Sequence, residues 1–173
     1  MSVYEKKDRL KRLVLSVMCS VLPDADTIGL RLGVPYESFF GHRGFFHSLP
    51  FAGIVALIVI VLFFRKDTIS WVRKLYLWGY FFLITSLHPI LDAMTTGGGG
   101  VALFSPFDTT RYFLPYTPIV VSPISIRHFF SEWGLSVLKS EFIWIWIPAI
   151  AIVCLNIMFK FFLTSLRKNR QSP

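Results

Sequence analysis

Apolar residues run along this chain in long blocks separated by short polar strings. Four blocks stand out: residues 10–22, about 44–64 (nearly unbroken from 49), about 75–93, and 142–163. A membrane-spanning helix needs about 20 residues, with about 17 as the lower end. The last three blocks meet that length and the first is marginal. The stretch between the third and fourth opens on Thr95-Thr96 and then Gly97 to Gly100, four glycines that predict a flexible turn or a lid hinge. No Gly-Lys-Ser/Thr follows, which excludes a phosphate-binding P-loop. Prolines at 106, 115, 118 and 123 exclude a continuous helix there. Residues 126–139 predict a short amphipathic helix lying in the interface, with Phe129, Phe130, Trp133, Val137 and Leu138 on one side. The expected fold class is all-α: a polytopic transmembrane bundle of about four membrane helices, with a proline-rich outer loop and a short interfacial helix. It is expected to form a single membrane-embedded domain over 1–173, with a motif-bearing core at 13–123 and a C-terminal membrane helix at about 142–163.

Basic residues orient these blocks. Lys6, Lys7, Arg9, Lys11 and Arg12 lie in or before the start of the first. Arg65, Lys66, Arg73 and Lys74 lie between the second and third, and Lys160, Arg167, Lys168 and Arg170 close the chain. The excess of Lys and Arg in cytoplasmic segments places all three regions inside, and residues 23–43 and 95–141 on the opposite face. Both termini are then cytoplasmic and the chain is a multi-pass protein of the inner (plasma) membrane. A cleaved signal peptide is the rival reading of the first block. It lacks a small-x-small site before Pro23, and cleavage there would leave Asp24 and Asp26 at a loose terminus.

Composition adds weight to the membrane reading. Hydrophobic residues make up 54% of the chain, against about 45–50% in an ordinary soluble domain. The net charge of +8 sits in short clusters beside apolar runs. A nucleic-acid binder spreads such charge over one face of a polar domain, so nucleic acid is not an expected partner and the lipid bilayer is. Cys19 and Cys154 both fall inside apolar blocks with no CxxC, and read as small buried hydrophobes.

Three polar strings carry the candidate chemistry: Pro23-Asp24-Ala25-Asp26, His42-Arg43-Gly44-Phe45-Phe46-His47-Ser48, and His88-Pro89-Ile90-Leu91-Asp92. Each ends an apolar block, and the orientation above brings all three out on the same membrane face. His88 and Asp92 are four apart and share a helix face, with Pro89 between them expected to kink the helix. They are either metal ligands or a hydrogen-bonded pair pinning the helix end. His42 and His47 are five apart and do not share one face, but Gly44 allows a turn that aims His47 into the bundle. His42 then faces the substrate or supports a ligand; the bland alternative for both is a satisfied interfacial histidine. Arg43 either meets an anionic substrate or snorkels at the interface. Of the two aspartates, Asp26 is expected as a direct ligand and Asp24 as its support or the holder of an adjacent ion, unless one caps the next segment. His128, on the amphipathic segment, reads as interfacial.

Together these give a set of two imidazoles and two or three carboxylates, with Asp24, His42 and Arg43 as candidate catalytic helpers. Imidazole and carboxylate ligands suit a divalent metal, Zn²⁺ first, with Mn²⁺ or Fe²⁺ as options. With an open position such a metal brings the pKa of bound water to about 7. The expected function is metal-dependent hydrolysis at the extracytoplasmic membrane face, on a phosphoester or lipid-derived substrate. The alternatives are a non-enzymatic membrane protein holding a structural metal, or an ion or small-solute transporter. Transport favours ionisable groups near the bilayer midplane, whereas these gather at block ends.

The order Pro-Asp-x-Asp, His-Arg-x-x-x-His-Ser, His-x-x-x-Asp, Thr-x-Gly and Leu-Phe-Ser-Pro-Phe, spread over roughly residues 13–123, resembles the bacterial and archaeal membrane-bound metal-dependent hydrolases, some described as LexA-regulated. That family is distantly similar to zinc-dependent phospholipase C. The resemblance implies Asp26, His47, His88 and Asp92 as ligands, with zinc and phosphoester hydrolysis by analogy. One departure stands out. Family members usually carry a histidine in an N-terminal helix, and this chain has none before His42. Either a second-metal position is absent or the chain begins late.

Overall fold

The computed structural model describes residues 3–65 and 69–171, and side chains except those of residues 3–7, 126 and 165–171. Of the orienting basic residues, Lys66 lies outside the described residues, as do the side chains of Lys6, Lys7, Arg167, Lys168 and Arg170. Among the described residues the chain is helical, with no strand and one isolated antiparallel bridge between Val101 and Tyr112. It divides into two compact units, residues 1–117 and 118–173.

The first unit begins with α1 (Val3–Val21). Pro23 lacks an N–H, so the helix tightens into a 3₁₀ turn, Leu22–Asp26, before α2 (Thr27–Arg31). Gly33, at φ +86°, ends α2: its N–H reaches Leu30 O and that of Val34 reaches Gly29 O. The first apolar block is therefore longer than expected, and residues Asp8–Arg31 form a stretch of 24 residues long and apolar enough to cross a membrane.

The second block is shorter than expected. Ser48 caps α3 (Leu49–Phe63), its hydroxyl accepting from Phe51 N at 3.1 Å with a proline in the first turn. Residues 44–48 belong instead to a loop containing the 3₁₀ turn Phe45–His47. The third block starts earlier than expected, as α4 (Trp71–Ala93), capped by Ser70. It runs through Pro89 as one helix.

Helices α1, α3 and α4 pack around Leu15, Cys19, Val55, Ala56, Val59, Ile60 and Phe81. Ala52 and Ala56 are fully buried, and such small residues let helix backbones approach closely, the main packing device inside a bilayer. Trp78 Nε1 donates to Gly53 O at 3.2 Å, and Ser16 Oγ lies 3.0 Å from the Tyr80 hydroxyl. At the other end Lys11 donates to Phe63 O and lies 4.1 Å over the Phe64 ring, placing a cation at the C-terminus of α3.

The second unit holds α5 (Ile126–Phe129), α6 (Glu132–Glu141), a π-helical turn Phe142–Trp146 and α7 (Ile147–Gln171). The amphipathic helix expected over 126–139 is broken. Ser131 caps α6, accepting from Trp133 N and donating to His128 O at 2.6 Å, which separates α5 from it. The π turn sits directly before Pro148, whose ring would otherwise strike a carbonyl of the preceding turn. Residues Glu132–Thr164 form the second stretch that meets the length and apolarity of a membrane span.

Candidate metal centre

The three polar strings meet within the first unit. The 3₁₀ turn after α1 advances about 120° per residue. Asp24 and Asp26 therefore point in different directions and flank His47 on opposite sides. His47 Nε2 lies 3.5 Å from Asp24 Oδ1 and 3.3 Å from Asp92 Oδ2, while its Nδ1 lies 2.9 Å from Asp26 Oδ2. His88, one turn before Asp92 on α4, places Nε2 3.3 Å from Asp24 Oδ1 and 3.8 Å from Asp92 Oδ2. Asp24, His47, His88 and Asp92 thus each aim one ligand atom at a common point, and Asp26 stands on the far side of His47.

The hydrogen bonds fix the tautomers. A carbonyl only accepts, so His88 Nδ1, 2.8 Å from Ser20 O, carries the proton and leaves Nε2 a bare lone pair. His47 Nε2 and His88 Nε2 are both buried and have no hydrogen-bond partner. Lone pairs and carboxylate oxygens facing each other repel unless a cation lies among them. Their spacings of 3.3–3.8 Å are longer than charge-assisted hydrogen bonds of about 2.7–2.9 Å. Three of them, at 3.3–3.5 Å, are close to the separation of about 3.3–3.4 Å between ligand atoms about 2.0–2.1 Å from a tetrahedral metal, and the fourth, at 3.8 Å, is wider. The residues fit a divalent metal. His47 is fully buried, whereas the Asp24 side chain is about half exposed, so the group is walled on one side and open on the other.

A second group, Asp26, His42 and His47, also brings ligand atoms together. Here His42 Nδ1 donates to Asp26 Oδ1 at 2.7 Å, too short for two ligands of one ion and right for a hydrogen bond. Asp26 therefore holds His42 by a hydrogen bond and sets its other oxygen 2.9 Å from His47 Nδ1, and that oxygen and Nδ1 are buried without a hydrogen-bond partner. His42 is buried, with its ring edge-on to His47 at 5.1 Å between centroids. Burial opposes charge on His47, yet the facing carboxylates of Asp24, Asp26 and Asp92 outweigh it and raise the imidazole to about 10. These carboxylates require a positive charge between them.

Arg43 neither faces open solvent nor snorkels. It is buried, and its guanidinium donates to Asp92 Oδ1 at 3.2 Å, Thr95 Oγ1 at 3.1 Å and Gly97 O at 2.9 Å. Its backbone is left-handed, at φ +62°. The glycine run expected as a flexible turn or a lid hinge is packed against it: a Cβ on Gly98 would lie 2.6 Å from Arg43 Nη1. Gly44 serves the turn expected of it, since a Cβ there would lie 2.4 Å from Phe39 O. His128 stands on α5 in the other unit, its ring 6.5 Å from that of Trp133.

Two participants carry no sequence signal. Ser20 offers only its carbonyl. Arg111 ties the loop down through carbonyls, donating to His42 O at 2.9 Å and Tyr36 O at 2.8 Å, with Glu37 3.3 Å from its Nε. Nothing in the identity of either residue announces such a role.

Comparison with known proteins places these features in context. A family model described as YdjM inner membrane protein matches residues 1–163. Inner membrane protein YbcI of Escherichia coli (strain K12) is 36% identical over 143 residues, covering 82% of this chain and 80% of that protein. No solved structure matches the chain.

Proposed function

The chain belongs to the YdjM inner membrane protein family, and on that premise we propose that it is a membrane-bound, metal-dependent hydrolase acting on a phosphoester or lipid-derived substrate. The observation that carries this reading is the set of four facing ligand atoms, two of them buried imidazole nitrogens without a hydrogen-bond partner. Asp24, His47, His88 and Asp92 are the ligands. Asp26, expected as a ligand, instead stands beside His47 and bonds to His42; Asp24, expected as a helper, takes its place. When bound, zinc or a similar divalent ion lowers the pKa of water to about 7 and so supplies a nucleophile at neutral pH. The half-exposed Asp24 side leaves room for that water and for substrate.

The chain's own residues do the rest. Ser20 O fixes the His88 ring by its Nδ1 side, as outer hydrogen bonds do in metal sites, and Asp26 places a carboxylate oxygen 2.9 Å from His47 Nδ1. Arg43 positions Asp92 rather than touching substrate. His42 donates its Nδ1 proton to Asp26 and so holds that carboxylate in place beside His47.

We further propose four crossings, by residues 8–31, by α3, by α4 and by the helix through α6 and α7, with both termini cytoplasmic and the centre at the extracytoplasmic end. The distribution of Lys and Arg supports this orientation. In a protein whose Cys19 and Cys154 are replaced by serine, single cysteines at Glu37 and Asp108 will label with an impermeant maleimide from outside, and one at Arg65 only after permeabilisation. Labelling of all three from one face rejects the four-span arrangement.

For function, metal content and phosphodiesterase activity of the purified protein are measured together. The wild type is expected to hold about one zinc and to cleave bis-p-nitrophenyl phosphate. His88→Ala and Asp24→Asn are expected to lose both, and Asp26→Asn to weaken zinc by about 10–100-fold, as loss of a supporting group does. Zinc held without any hydrolysis would leave a structural metal and remove catalysis. Equal losses for the two aspartate variants would reject the division of roles.

A further inference from the structure

A groove of about 460 Å³ lies between α1 and α3, with Asp24 of the proposed metal centre in its wall. Its floor is buried, with Leu15, Cys19 and Val59 each below a tenth exposed. Its rim is open, with Met18 58% and Ile58 49% exposed. The wall is apolar along its length except at one end, where Asp24 lines it. Asp24 also aims Oδ1 at His47 and His88. One carboxylate therefore belongs both to a channel for hydrocarbon and to a site for a charged group.

Length fits the same occupant. Leu15 to Leu22 covers about 10 Å of helix at about 1.5 Å per residue, and one leaflet offers about 15 Å of hydrocarbon. The groove thus offers about 10 Å of apolar wall along α1, with its polar end at Asp24 and Phe63 among its apolar lining. We propose that it holds one alkyl chain of a phosphate-bearing lipid, seated so that the head of that lipid lies beside Asp24, His47 and His88. The proposal rests on the metal-dependent reading above and narrows its substrate to an amphiphile drawn sideways from the membrane. The volume lies within the range of about 300–1,000 Å³ usual for ligand sites.

The test uses the full chain in phospholipid nanodiscs, loaded with zinc, and a dodecylphosphonate carrying a diazirine in mid-chain. Photolysis should place adducts on the segments holding Met18 and Ile58. Unlabelled dodecylphosphonate should displace them, and methylphosphonate should need at least about 100-fold more to do so. Ile58→Trp, a change at the exposed rim, should cut adduct yield about tenfold while zinc content stays at the wild-type level. Adducts spread over the outer faces of α3 and α4 and indifferent to competitor would overturn the groove while leaving the metal intact. So would photo-methionine at position 18 that crosslinks to a second copy of the chain instead of lipid. A wild-type protein that binds no zinc overturns the metal reading and this proposal with it.

Discussion

His47→Ala is expected to strip zinc from the protein and to destabilise the metal-free form as well. His47 is fully buried and lies within 3.5 Å of carboxylate oxygens from Asp24, Asp26 and Asp92. Removing the imidazole leaves the oxygens of Asp24, Asp26 and Asp92 that faced it around a void, while Arg43 stays on the other oxygen of Asp92 and His42 on that of Asp26. Breaking a buried ionic arrangement by deleting one partner costs about 3–5 kcal/mol. Zinc affinity should fall by more than the roughly 100-fold expected for a supporting residue. Elemental analysis and thermal melts in detergent, with and without chelator, measure both effects; His128→Ala serves as the neutral comparison. Retention of wild-type zinc by His47→Ala would reject the centre. The metal-free wild type should also show a pH signature. The folded imidazole is raised to about 10 from an ordinary value near 6.5. Its stabilising charge is then fully present below about 6.5 and is lost as pH rises through about 10. Metal-free His47→Ala should lack that decline.

Arg43→Ala carries the next largest effect, through Asp92. The guanidinium is the link between α4 and the loop at residues 95–97, and it holds Asp92 Oδ1 so that Oδ2 faces His47. Without it a largely buried carboxylate loses its partner, again about 3–5 kcal/mol, with the exposed edge of Asp92 favouring the lower figure. Zinc affinity should drop about 10–100-fold, because Asp92 is no longer held in place. The backbone adds a second, separable term. At φ +62° any side chain bears a cost of about 1–2 kcal/mol that glycine avoids. Arg43→Gly should therefore be about 1 kcal/mol more stable than Arg43→Ala, with the same loss of zinc affinity. Arg43→Lys should resemble alanine in zinc affinity, since one ammonium cannot span Asp92, Thr95 and Gly97 at once. Unchanged zinc affinity in Arg43→Ala would show that Asp92 needs no such support.

Much of the centre was legible because its spacing is local. His88 and Asp92 share a face by the helical repeat alone, and Gly44 marks the turn that separates His42 from His47. The division between Asp24 and Asp26 was not legible. Two residues two apart diverge in an α-helix and in a 3₁₀ turn alike, so the division depends on which side of that turn His47 and His88 dock, a contact between distant segments. The second apolar block was read as too long because Ser48 and Pro50 lie inside an apolar run, where the capping pattern is easy to pass over. Of the flexible turn or lid hinge expected at the glycine run, the bends at residues 97–99, with Gly98 and Gly100 at positive φ, agree with the turn. Arg111 and Ser20 were invisible for a deeper reason: both act on or through backbone carbonyls, which every residue has. Helix content followed from block length, but the number of membrane crossings does not follow from helices alone, since α3 has 15 residues and α4 carries Arg73, Lys74, His88 and Asp92.

The glycines of the 36–44 loop have a consequence for how the centre is placed. A methyl group on Gly41 would meet Tyr36 O at 2.2 Å, and one on Gly44 would meet Phe39 O at 2.4 Å. Neither residue has a side chain to contribute, yet either replacement would force apart the loop that delivers His42, Arg43 and His47. Two positions that bring no functional group therefore bear on the placement of His42, Arg43 and His47, and a substitution at either would disturb that placement without touching any of the three.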